Sequence, residues 1–173
     1  MEDKISRARA LAAAVHAGQR YGTSPYTVHL AAAVAVLERF GFTDPELLAA
    51  AWLHDALEDT ALSRETLAAQ LGDRVASLVD AVTDGPGTSR AERKARPYSL
   101  IPLTPDAILI KLADRIANVE SAQTSKPRLL AMYRLEQLTF RSKLSQPGVA
   151  LPMWTHLESL FVDAVGEDSE SSG

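Results

Sequence analysis

Leu53-His54-Asp55-Ala56-Leu57-Glu58-Asp59-Thr60 closes the most apolar part of the chain, directly after Leu47, Leu48, Ala51 and Trp52. Upstream, Asp44-Pro45-Glu46 reads as a helix start: an N-cap, a proline at the first position and an acid in the first turn. The spacing predicts one helix from there to about Leu57. On it, His54 falls one turn after Ala51 and two after Leu47, on the stripe that faces a core. Asp55 falls one turn after Ala51 and beside Trp52. Burying an imidazole and a carboxylate without partners costs several kcal/mol. A bound divalent cation makes the placement favourable, and nitrogen plus carboxylate oxygen suits Mn2+, Fe2+ or Zn2+.

Working outward, two further polar residues interrupt apolar helical stripes. His29 shares one with Ala33, Val36 and Phe40, in a helix expected from about Tyr26 to Phe40. Asp114 shares another with Ala107, Ile110 and Ala117, in a helix expected from a Thr104-Pro105-Asp106 cap to about Val119. Ile5, Ala8, Leu11, Ala12 and Val15 mark a first helix, and Gly18 to Pro25 a polar turn. Short helices are expected from Ser63 and from Asp73 to Thr83. Gly85-Pro86-Gly87 is a break, and Thr88 to Leu103 reads as a surface helix plus loop beside a site. Helices near Pro127 to Leu144 and Leu151 to Val165 complete an all-α fold of about eight to ten helices, with no convincing alternating strand.

The 173 residues are 46% hydrophobic and 23% charged, which suits one globular domain, expected over residues 1–165. Residues 166–173 are acidic and serine-rich without an apolar side chain, and are expected to be disordered. There are no cysteines, which excludes disulfides, thiolate metal sites and cysteine nucleophiles. A net charge of −4 argues against a large nucleic-acid surface, and no apolar run has membrane-spanning length.

The order His29, His54-Asp55, Asp114 on a helical background resembles the HD superfamily of metal-dependent phosphohydrolases. The resemblance narrows to the hydrolase domain of RelA/SpoT-type (p)ppGpp enzymes. Ala14-Val15-His16-Ala17-Gly18-Gln19-Arg20 and Pro25-Tyr26-Thr27-Val28-His29 are similar to its opening, and Leu53 to Thr60 to its central motif. Leu71 to Ala76, Leu78 to Thr83 and Ile110 to Asn118 follow in the family's order, so the likeness covers about residues 8 to 121. It implies a stand-alone small alarmone hydrolase, like the metazoan SpoT homologue, in the cytoplasm. His29, His54, Asp55 and Asp114 would be the ligands of a divalent metal, usually Mn2+. Glu58 and Asp59 would be the catalytic acidic pair. Arg20, Tyr21, Asn118 and Ser121 would contact a small-molecule nucleotide substrate. The implied reaction removes the 3′-diphosphate of guanosine 3′,5′-bis(diphosphate), giving GDP and pyrophosphate.

Departures fall on substrate contacts and not on the ligand set. The Gln19–Pro25 loop is one residue short, Tyr21 replaces a lysine, Leu30 a proline, Asp84 a lysine and Ser121 a threonine. The same chemistry on an adenosine alarmone or on the NADPH 2′-phosphate therefore stays open, as does a nucleotide-binding domain without catalysis. Two readings also stay open for His16, a hydrogen bond behind the site or plain helix packing. Arg90, Arg93, Lys94 and Arg96 form either a solvated face or a local positive field for polyphosphate.

Overall fold

The computed structural model describes residues 3–162, so the expected tail and the end of the last predicted helix lie outside the described residues. Within them the elements run α1 (Lys4–Val15), β1 (Arg20–Tyr21), β2 (Ser24–Pro25), α2 (Thr27–Arg39), α3 (Pro45–Trp52), α4 (Ala56–Asp59), α5 (Arg64–Leu71) and α6 (Asp73–Val82). After them come α7 (Arg90–Leu100), a 3-10 turn (Ile101–Leu103), α8 (Ala107–Ser125), α9 (Pro127–Leu144) and α10 (Leu151–Ser159). The helical fold is as expected. The polar turn contains a small antiparallel hairpin, Arg20 opposite Pro25 and Tyr21 opposite Ser24, which no alternating pattern announces in so short a stretch.

α8 is the central helix: α2 lies along it, and α6, α9 and α10 pack around it. α3 sits against α1, α2 and α6. Ile110, Leu112 and Ile116 of α8 are fully buried, with Leu30 and Leu37 of α2 and Phe140 and Trp154 on the far side. Burying each such side chain contributes roughly 1.5–3 kcal/mol.

Asp44 caps α3 as expected, its side chain accepting from the Glu46 N–H at 2.9 Å. The helix does not reach Leu57. It ends at Trp52, and Leu53 to Asp55 form a turn before the single-turn α4. His54 explains the break, because its Nδ1 lies 2.8 Å from the Ala51 carbonyl, the group that Asp55 N–H would need to continue the helix. Glu58 and Asp59 therefore belong to their own turn. The Thr104-Pro105-Asp106 cap is also corrected. Asp106 sits in left-handed backbone (φ 67°) without a side-chain cap, and its carboxylate accepts instead from Arg74 at 2.9 Å. α8 runs six residues beyond Val119, to Ser125.

Gly85-Pro86-Gly87 is pressed onto α7. A Cβ on Gly87 would meet the Glu92 Cβ at 2.6 Å, and one on Gly85 the Arg96 Cβ at 2.9 Å. Pro97 has no N–H for the Arg93 carbonyl one turn back, and Gly85 N–H donates to it instead at 2.9 Å. With the Ser89–Glu92 capping box at its start, α7 is fixed with Arg90 and Lys94 toward the site.

Candidate metal centre

α2, the turn after α3, and α8 bring His29, His54, Asp55 and Asp114 together. The Nε2 atoms of His29 and His54 are 3.2 Å apart. Asp55 Oδ2 lies 3.5 Å from His29 Nε2 and 3.1 Å from that of His54. Asp114 Oδ1 lies 3.3 and 3.6 Å from the same two nitrogens. Neighbouring ligands about 2.1 Å from one cation are spaced about 3.0–3.5 Å apart, so the His29, His54 and Asp55 atoms fit a shared divalent ion, with Asp114 Oδ1 beside the two nitrogens. Both histidines are buried. His54 Nδ1–H donates to the Ala51 carbonyl, which leaves its Nε2 lone pair facing the cluster. Two buried lone-pair nitrogens face to face need either a proton or a metal between them and the carboxylates.

The electrostatics agree. Burial pushes the His29 and His54 pKa values down, but Asp114 and Asp55 outweigh it and hold both above the ordinary range. Burial opposes ionisation of Asp55 and Asp114, and the histidines reverse this, holding both carboxyls well below the usual range. A divalent cation can replace those protons. Tyr26 O–H donates to Asp55 Oδ2 at 2.6 Å, and Asn118 Nδ2–H to Asp114 Oδ1 at 2.5 Å.

A cavity of about 150 Å3 opens beside the cluster. Glu58 reaches its mouth and accepts the Asp84 N–H at 3.1 Å. Burial pushes the Glu58 carboxyl up; the Asp84 N–H opposes this, and the charges of Asp84 and Asp55 reinforce it. Asp59 does not line the cavity; its Oδ2 accepts from Gln19 Nε2–H at 2.7 Å. Tyr21 stacks on His29, with centroids 5.0 Å apart, and its O–H donates to Asn118 at 3.2 Å. Arg20 is exposed on the hairpin, and neither it nor Ser121 lines the cavity.

Four cations also line the cavity: Arg90 and Lys94 of α7, with Lys111 and Arg115 of α8, the helix that carries Asp114. Lys111 Nζ donates to the Val82 carbonyl at 3.1 Å, 3.9 Å from Asp114 Oδ2. Burial and the charge of Lys111 hold the Lys94 pKa down, although Lys94 pairs with Asp84 at 3.0 Å. Glu136 of α9 grips Arg90 at 2.5 Å and Arg115 at 3.2 Å. The Arg115 guanidinium lies between the rings of Tyr133 and Phe140, 4.6 and 4.3 Å from their centroids, and its Nη1 has no partner among the described residues. Burial, with the charge of Asp114, pushes the Tyr133 hydroxyl up to about 12. Tyr26, Lys111, Arg115 and Tyr133 escaped sequence reasoning. The cation of Lys111 between apolar Ile110 and Leu112, one turn before Asp114-Arg115, was the available signal.

The HD domain family matches residues 8–141. The chain belongs to the HD-domain family. It is similar to the guanosine-3′,5′-bis(diphosphate) 3′-pyrophosphohydrolase MESH1 of Danio rerio, 34% identical over 132 residues, or 73% of each chain. It is 37% identical over 124 residues to the enzyme of the same activity name from Aquifex aeolicus, covering 69% of this HD-domain chain but 18% of that one. Among solved structures, a metazoan SpoT ortholog described as hydrolysing ppGpp superposes with a TM-score of 0.79 at 27% identity, over 93% of this chain and 95% of that one. No described helix of the HD-domain chain is long and apolar enough to cross a membrane.

Proposed function

We propose that the chain is a metal-dependent hydrolase of guanosine 3′,5′-bis(diphosphate), with residues 1–165 as its HD unit. The carrying observation is the His29, His54, Asp55 and Asp114 cluster beside a wall of four cations, in a chain similar to enzymes named for this activity. The reaction adds water across the bond between ribose O3′ and phosphorus. Hydroxide goes to phosphorus, releasing pyrophosphate, and the proton goes to O3′, leaving GDP.

The four residues would hold one divalent cation, Mn2+ by the family's habit. When bound, it supplies Lewis acidity toward a phosphoryl oxygen and makes a water acidic enough to attack near neutral pH. Glu58, at the cavity mouth with its raised pKa, is suited to take the proton of the attacking water. Asp59 would relay protons at the hairpin side. Arg90, Lys94, Lys111 and Arg115 neutralise phosphate charge, and the unpartnered Arg115 Nη1 is a donor already desolvated for it. Tyr21 and Asn118, joined to each other beside the ligands, would orient the nucleoside, with Arg20 and Ser121 at the periphery. The same reading places the chain in the cytoplasm, as the family resemblance implies.

The test is product analysis of the Mn2+-loaded protein on guanosine and adenosine alarmones and NADPH. GDP and pyrophosphate in equal amounts are expected from the guanosine alarmone. Asp114→Ala should lose metal and turnover together. Full wild-type turnover in excess chelator would sink the metal mechanism.

A further inference from the structure

We propose that Gln19 is a positioning residue for Asp59, held in turn by His16; the inference rests on the proton-relay reading of Asp59 above. Gln19 joins two groups that the sequence leaves separate. Its Nε2–H donates to Asp59 Oδ2 at 2.7 Å, and its Oε1 lies 2.6 Å from His16 Nδ1. The Gln19 backbone is tied on both sides, its N–H to the His16 carbonyl at 2.9 Å and its carbonyl to the Tyr26 N–H at 3.2 Å.

Gln19 presents its Nε2–H to the Asp59 carboxylate. Oε1 then faces His16 and must accept from Nδ1–H. This sets the protonated ring nitrogen of His16, a buried side chain whose Nε2 has no partner among the described residues. The ring is fixed independently by stacking on Tyr26, centroids 4.9 Å apart, and Tyr26 holds Asp55 through its hydroxyl. One buried imidazole thus supports two arms, one reaching a metal-site carboxylate and the other the acid at the end of α4. Asp59 needs such an arm, because it is exposed at the end of a single helical turn. Without a fixed partner its side chain samples several rotamers, and the Gln19 arm holds it in one, just outside the cavity lining.

The experiment is a double-mutant cycle on the Mn2+-loaded full chain with guanosine 3′,5′-bis(diphosphate). Gln19→Met keeps size and removes the donor. It should lower kcat about 10-fold, the scale of one hydrogen bond to a charged group, with KM and bound metal unchanged. In the Asp59→Asn background the same change should alter kcat less than about twofold, because residues acting as a unit do not add. His16→Asn, which can still offer a donor near the Nδ1 position, should retain more kcat than His16→Leu. An unchanged kcat in Gln19→Met, equal losses in both backgrounds, or no difference between the two His16 variants overturns the positioning role while leaving the hydrolase reading intact. Full turnover in Asp59→Asn overturns the relay role of Asp59 and the proposal with it.

Discussion

Tyr26→Phe isolates one hydrogen bond at the metal centre. The hydroxyl donates to Asp55 Oδ2 at 2.6 Å, a short bond to an ionised acceptor, and burial with the charge of Asp55 pushes the phenol's pKa far above its ordinary value. Phenylalanine keeps the ring that packs on His16, Tyr21 and His29, with centroids 4.9, 6.4 and 5.6 Å away, so the fold around the site should persist. What is lost is the group that fixes which Asp55 oxygen faces the histidines. A hydrogen bond to a charged group contributes about 1.5–3 kcal/mol. At about 1.4 kcal/mol per tenfold, that is a weakening of metal binding by about 10- to 100-fold, the usual scale for a group that orients a ligand. The assay is competition for Mn2+ against a chelator of known affinity, with thermal melting of the apo proteins as control. An unchanged Mn2+ affinity in a folded Tyr26→Phe protein would refute the reasoning, because Asp55 would then be oriented by its backbone alone.

Glu58→Gln should reduce turnover by at least about 100-fold while metal content persists; unchanged turnover would show a structural role. Because the folded-state pKa of Glu58 is raised, its contribution to stability is present below the unfolded value and is lost as pH rises through the folded one. Glu58→Gln should therefore raise the melting temperature at pH 7 and leave it nearly unchanged near pH 4. Arg115→Ala leaves Glu136 with only Arg90 and opens space between Tyr133 and Phe140, so urea unfolding should show a loss of about 3 kcal/mol. Tyr21→Ala should raise KM more than Arg20→Ala, since Tyr21 lines the cavity and Arg20 does not; the reverse order in steady-state kinetics would place the nucleoside on the outer face of the hairpin.

The helical class and most element starts are legible in the chain alone, because these depend on local matters: stripe periodicity, the Asp44 and Ser63 caps, and the Pro127 start. The sequence also singled out His29, His54, Asp55 and Asp114, since a polar group on an apolar stripe is legible wherever it occurs. The break at Leu53 to Asp55 arises from packing, because a side chain outcompetes the backbone for the Ala51 carbonyl when His54 turns toward partners on α2 and α8. The same holds for the cationic wall. Arg115 carries no local sign that its guanidinium will lie between Tyr133 and Phe140, and the sequence leaves Arg90 between a solvated face and a positive field until Glu136 grips both. Those pairings join residues far apart in the chain, and their energy comes from desolvation and geometry that exist only after the helices have packed.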